Sequence, residues 1–145
     1  MEDYIEFDKL KTKVLKYALY KKRSEAEIRR KFAENSGEML DKVIKNLKEK
    51  GYINDYMYIQ KTVDEFQRLK NLSIKELEYK LISKGINKYD LENYISQNKE
   101  DLFEYEINSA RNIFIKKQAT MEKENIVLYL KKKGYLSESI TLAQE

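Results

Sequence analysis

Histidine, cysteine and proline are all absent from this chain of 145 residues, and glycine occurs only 4 times. Without cysteine there is no disulfide framework, no thiolate nucleophile and no zinc-ribbon chemistry. Without histidine, the commonest general base and the commonest transition-metal ligand are gone. Most hydrolytic and metal-dependent active sites are thereby excluded, and an all-oxygen magnesium site is the one that remains open. The expectation is a protein that is not an enzyme, with no catalytic residue, no metal and no cofactor. Long apolar runs are missing too: none approaches the ~20 residues of a membrane span. Residues 1–8 carry Glu2, Asp3, Glu6 and Asp8, unlike a signal or transit peptide. These absences imply a soluble, cytoplasmic protein that makes no membrane contact.

What is present favours helix. Charged residues make up 37% of the chain and hydrophobic residues 41%, enough apolar surface for a folded core. Lys, Glu, Leu and Ile lose little side-chain freedom in a helix, and breakers are few. Leu40, Val43, Ile44 and Leu47 share one helical face. Ile59, Thr62, Val63 and Phe66 do the same, as do Phe103, Ile107, Ala110 and Phe114. No stretch keeps the period of two that a half-buried strand requires.

The chain also resembles itself. Ser24-Glu25-Ala26-Glu27-Ile28 and Ser73-Ile74-Lys75-Glu76-Leu77 share the Ser-x-x-Glu capping box, 49 residues apart. In that motif the serine accepts a backbone N–H one turn into the helix and the glutamate reaches back to the serine. An apolar residue follows each box by four positions, Phe32 after Ile28 and Leu81 after Leu77. A second step of 49 carries Leu77 to Ile126, Leu81 to Leu130, Gly85 to Gly134 and Leu91 to Ile140, although Glu122 replaces the capping serine. Periods of this size indicate an array of supersecondary units.

The expected architecture is therefore all-α, with three tandem three-helix repeats in an elongated, curved array. An acidic lead spans 1–8, a basic first repeat 9–54, a second repeat 55–100 and a third 101–145. The predicted helices are 9–21, 24–33 and 38–50; 55–70, 73–84 and 88–97; then 102–117, 121–133 and 137 to the end. The turn after Phe32 is about two residues shorter than its counterpart. Gly51, Gly85 and Gly134 sit where helices should stop, in the left-handed conformation that glycine adopts without penalty.

Net charge is +4, unevenly distributed. Residues 9–54 carry 14 Lys/Arg against 6 Asp/Glu, whereas 55–100 balance at 8 and 8 and 101–145 at 7 and 7. Lys21, Lys22 and Arg23 precede the first capping box, and Arg29, Arg30 and Lys31 follow it. These six residues form the candidate contact site, suited to nucleic-acid phosphates or to an acidic protein surface. A solvated helical face accounts for the same run without any partner. Lys131, Lys132 and Lys133 are read as a helix C-terminus complementing its dipole. Tyr17, Tyr94 and Tyr129 fall near apolar positions, and Tyr52 and Tyr135 each follow a glycine. Most of the 12 tyrosines are thus packing residues. The acids Asp64, Glu65, Asp90 and Glu92 read as an exposed helical surface.

Three segments are similar to a known family. Arg23-Ser24-Glu25-Ala26-Glu27-Ile28-Arg29-Arg30-Lys31-Phe32 resembles the Arg-Ser-x-x-Glu-Leu-x-x-Lys-Leu signature of RecX proteins. Gly51-Tyr52-Ile53-Asn54-Asp55-Tyr56-Met57-Tyr58-Ile59 resembles their Gly-Tyr-Leu-Asp-Asp-x-x-Phe-Ala junction. Ser73 to Ile86, ending Lys84-Gly85-Ile86, is similar to their second-unit pattern. The resemblance implies three tandem three-helix repeats and a non-enzymatic regulator of the RecA recombinase. Its implied partners are RecA and the RecA–DNA filament, with a weak DNA contact, and its implied effect is to suppress ATP hydrolysis, strand exchange, recombination and the SOS response. The implied state is a monomer. The departures are the shortened turn after Phe32, an Ile at position 59 where alanine is usual, and the short N-terminal lead. An independent helix-turn-helix DNA-binding regulator is the main alternative reading, and a structural interaction scaffold that ignores nucleic acid is the second.

Overall fold

The structure, a computed structural model, describes residues 2–35 and 37–145; of Glu2 it describes only the backbone. Among the described residues it contains nine α-helices, one short 3₁₀ turn at Ala33–Asn35 and no strand. In chain order the helices are α1 Glu2–Tyr20, α2 Glu25–Lys31, α3 Glu38–Glu49, α4 Asp55–Leu69, α5 Ile74–Ser83, α6 Lys88–Gln97, α7 Lys99–Lys117, α8 Lys123–Lys132 and α9 Ser137–Ala143. The helix bounds lie within about two residues of those expected from periodicity and capping, apart from two starts. Helix α1 begins at Glu2 and takes in the acidic lead, because Glu and Asp in a first turn complement the helix dipole. Helix α7 starts at Lys99, with only Asn98 between it and the end of α6 at Gln97. Helix α2 spans 7 residues where α5 spans 10, so the helix itself is what is shortened. Ser36 lies outside the described residues.

The chain divides into two compact units. The first comprises residues 1–58 with Lys84–Ile86, and the second comprises Ile59–Ser83 with Asn87–Glu145. In the first unit α1 packs on α2 and α3. Its core gathers Leu10, Val14 and Ala18 of α1, Ile28 of α2, and Leu40, Val43, Ile44 and Leu47 of α3. The spacing of four along α1, and of three and four along α3, places these side chains on single faces. Ile53, after Gly51, closes the same core.

In the second unit α7 packs against α5, α6, α8 and α9. One apolar cluster joins Ala110 and Ile113 of α7 to Ile126 and Leu130 of α8, Tyr135, and Ile140 and Ala143 of α9. Another joins Leu72, Leu77 and Tyr105, with Phe66 against it. The face that α7 buries is Leu102, Tyr105, Glu106, Ser109, Ala110 and Ile113. The predicted stripe was Phe103, Ile107, Ala110 and Phe114, of which Phe103, Ile107 and Phe114 are only half-buried. Hydropathy misplaces the face because two of its members, Glu106 and Ser109, are polar.

Both capping boxes form. The Glu27 N–H donates to Ser24 Oγ at 3.1 Å, and the Glu76 N–H donates to Ser73 Oγ at 3.1 Å. The second box is reciprocal, since the Ser73 N–H donates to Glu76 Oε1 at 3.0 Å. Each serine also reaches 60 residues ahead: Ser24 Oγ donates to the Lys84 carbonyl at 3.3 Å and Ser73 Oγ to the Lys133 carbonyl at 2.8 Å. The glycines that follow those carbonyls, Gly85 and Gly134, have φ of +90° and +94°. A Cβ on Gly85 would stand 2.3 Å from the Ala26 Cβ, and one on Gly134 would stand 3.0 Å from the Lys75 Cβ. Ala26 and Lys75 are themselves 49 residues apart. Two independent constraints, positive φ and close approach, therefore select glycine at both positions. Glu122 stands at the N-cap of α8 and makes no side-chain capping bond, as the loss of the serine there implied.

Candidate basic interface

Three cations of the candidate site, Lys21, Lys22 and Arg23, lie in the link between α1 and α2, and the other three lie on α2 itself, all within the first unit. Helix α2 is short, and its sequence is organised around its two ends. Ser24 caps it, Glu25 and Glu27 occupy its first turn, and Arg29, Arg30 and Lys31 occupy its last. That order complements the helix dipole at both ends. Ile28, fully buried, is the side chain that fixes α2 to the core.

Asn54 and Asp55 hold this region from α4. Asn54 Oδ1 accepts the Met57 N–H at 3.1 Å and so caps α4. Asp55 Oδ1 accepts the Glu25 N–H at 2.9 Å, at the first residue of α2. The carboxylate thus satisfies an otherwise orphaned N–H and places negative charge at the positive end of the helix. In the second unit Glu106 Oε1 does the same for the Ile74 N–H at 3.0 Å.

The six cations do not behave alike. Arg29 is partly exposed but paired, its Nε 3.0 Å from Glu25 Oε2 and its Nη1 2.7 Å from Asp41 Oδ1. Lys48 joins the same network, 2.9 Å from Glu25 Oε1. The Asp41 bond, followed by Glu25, raises the Arg29 pKa above its ordinary value, and the Glu25 bond raises that of Lys48. Partial burial opposes ionisation of Glu25, but its bonds to Lys48 and Arg29 outweigh that and hold the carboxyl below its usual range. Arg29 therefore ties α2 to α3, and its charge is largely neutralised in place.

Arg23 is also engaged, through a ring rather than an acid. Its guanidinium lies 4.0 Å from the Tyr17 ring centroid and 6.0 Å from that of Tyr20, and its Nε donates to the Tyr17 carbonyl at 3.4 Å. Lys31 Nζ lies 5.8 Å from the same Tyr17 ring, and Phe32 meets that ring edge-on at 5.8 Å. Cations over aromatic faces are held electrostatically while keeping their charge available. Lys21, Lys22, Arg30 and Lys31 are exposed; Lys22 Nζ comes within 3.9 Å of Met57 Sδ. So the structure brings Arg23 and Lys31 together over Tyr17, places Lys21 and Lys22 at the adjoining turn, and withdraws Arg29 into an ion-pair network.

Sequence reasoning missed two features. Tyr20 falls off the Leu10–Val14–Ala18 stripe and is 83% exposed, immediately before the basic run. The signal was its helical phase. Glu106 is fully buried, and besides the Ile74 N–H it accepts the Leu136 N–H at 3.3 Å and the Ser139 hydroxyl at 2.6 Å through Oε2. Nothing in the local sequence distinguishes it from an exposed helical glutamate.

Among the described residues no group of three or more acidic, His or Cys side chains is placed to hold a metal ion, and no helix is long and apolar enough to cross a membrane.

With this geometry in hand, comparison with solved structures decides the fold. A crystal structure of regulatory protein RecX superimposes with a TM-score of 0.75 at 21% identity, covering 95% of this chain and 72% of that one. RecX from Lactobacillus salivarius superimposes with a TM-score of 0.77 at 20% identity, covering 95% of this chain and 94% of that one. The fold is that of RecX. No family model and no curated protein sequence matches the chain. The RecX fold gives the signature-like residues definite tasks: Ser24 and Ser73 cap α2 and α5, and Asp55 holds the start of α2.

Proposed function

We propose that this protein is a RecX-like regulator that binds RecA and RecA–DNA filaments and inhibits ATP hydrolysis and strand exchange, thereby restraining recombination and the SOS response. The observation that carries the reading is a coincidence of fold and motif. The RecX fold extends over 95% of the chain, and the residues resembling RecX signatures have structural tasks in this chain, with Ser24 and Ser73 capping α2 and α5. Fold alone does not carry a function; the motif residues in place supply the rest.

The chain acts as three tandem three-helix units, 9–54, 55–100 and 101–145, behind a short acidic lead. The recurrence of the serine–carbonyl pair and the tight glycine at a 49-residue shift supports that division. It works in the cytoplasm as a monomer, and it is not an enzyme. Inhibition then requires no chemistry, because a protein that binds one filament state better than another shifts the population toward it. The basic first unit faces filament-bound DNA through Lys21, Lys22, Arg23, Arg30 and Lys31, while the neutral units contact protein.

The test is co-sedimentation with RecA assembled on single-stranded DNA, at low and high salt. The protein is expected to pellet with filaments. Charge reversal by Arg30→Glu with Lys31→Glu is expected to weaken that binding and flatten its salt dependence. Absence of filament binding, with tight sequence-selective binding to duplex DNA instead, would favour an independent helix-turn-helix regulator.

A further inference from the structure

The aromatic ring that heads the basic run is exposed. Tyr20 is the last residue of α1 and 83% exposed, so its ring contributes little to the core. Leu19 beside it is 62% exposed. The ring is followed by Lys21 and Lys22, both exposed, and the Arg23 guanidinium lies 6.0 Å from its centroid. Arg23 in turn is fixed over Tyr17 at 4.0 Å, which keeps a cation beside the Tyr20 ring without neutralising it. The surrounding stretch, 9–54, carries 14 basic residues against 6 acidic.

We infer that Tyr20, with Lys21, Lys22 and Arg23, forms a stacking site for single-stranded nucleic acid. Aromatic rings bordered by cations suit this ligand, because every unpaired base presents a π-face and every linkage a phosphate. A duplex satisfies only the cations, since its bases are already stacked on one another. An acidic peptide likewise uses the charges and leaves the ring idle. The inference deepens the reading of the first unit as the nucleic-acid-facing part. It is nonetheless tested without RecA, so its failure and the failure of the RecA reading are separable.

The experiment titrates the full chain, without RecA, into fluorescently labelled oligothymidylate, an abasic oligonucleotide of equal length, a duplex, and polyglutamate, following anisotropy. The wild type is expected to bind oligothymidylate more tightly than the abasic strand or the duplex. Tyr20→Ala is expected to weaken oligothymidylate binding roughly 5- to 150-fold for one stacked base and to leave the abasic strand unchanged. Tyr20→Phe is expected to restore binding, and Tyr20→Leu is not. At an exposed position none of these changes should disturb the helical circular dichroism. Equal affinity for oligothymidylate and the abasic strand would overturn the inference, as would an undiminished Tyr20→Ala variant or a preference for duplex or polyglutamate.

Discussion

Ser73 Oγ lies 2.8 Å from the carbonyl oxygen of Lys133, so the hydroxyl that caps the start of α5 also satisfies the end of α8. Ser24 makes the equivalent bond to Lys84 at 3.3 Å. Each serine is fully buried and serves two helix ends with one side chain. Ser73→Ala removes an accepted and a donated bond and leaves a buried carbonyl with less to pair with. A loss of about 1–3 kcal/mol is expected, measured as a lower urea midpoint at unchanged slope. Ser24→Ala is expected to cost less, because its donated bond is longer.

Gly85 tests the close approach that accompanies this bond. Gly85→Ala puts a Cβ at positive φ against Ala26 and is expected to destabilise by about 2–4 kcal/mol. Ala26→Gly in the same background is expected to relieve the steric part, giving a favourable coupling of about 1–3 kcal/mol in a double-mutant cycle. Simple additivity of the two changes would mean that the contact is not what demands glycine.

Glu106 is the polar centre of the second unit. Oε1 accepts from Ile74, and Oε2 accepts from Leu136 and Ser139. Glu106→Gln turns an NH₂ group toward a backbone N–H that cannot accept from it, Ile74 on one side or Leu136 on the other, so a loss of about 2–4 kcal/mol is expected. Hydrogen exchange is expected to rise at the starts of both α5 and α9. A rise confined to α7 would contradict this assignment.

Much of this was legible from spacing. The capping boxes, the stopping glycines and the α3 stripe follow from local rules, in which residues three or four apart must meet. Tyr135 was placed correctly as a packing residue after Gly134, while Tyr52, its counterpart after Gly51, is 47% exposed. What escaped depends on distant partners. Arg29 reads as one more surface cation until Asp41, 12 residues away, comes within 2.7 Å. Glu106 is indistinguishable from Glu104 in sequence, yet Glu104 is exposed and Glu106 buried. What separates them is the set of distant partners, Ile74, Leu136 and Ser139, that meets Glu106.

The buried phenols give a pH signature. Burial raises the pKa of Tyr105 despite bonds from Ser109 and to Leu72, and raises that of Tyr135 further. A raised folded-state value means that the neutral phenols contribute stability fully below the unfolded tyrosine pKa of about 10. That contribution is lost as pH rises through the folded values. Ultraviolet titration is expected to show these two rings ionising together with unfolding. Tyr135→Phe is expected to remove part of the alkaline dependence.

The two arginines of α2 should separate stability from binding. Arg29→Ala breaks the links to Glu25 and Asp41 and is expected to lower stability modestly, by about 0.5–1 kcal/mol given its partial exposure. Arg30→Ala is expected to leave stability unchanged and to weaken filament binding. Equal thermal shifts for the two variants would contradict the assignment of Arg29 to the fold.

The most direct measurement of the regulatory reading is ATP hydrolysis by RecA on single-stranded DNA as the purified protein is added. The account predicts a concentration-dependent fall in the steady-state rate, weakened by Arg30→Glu with Lys31→Glu. A rate that stays unchanged while the protein remains folded and in excess would contradict it.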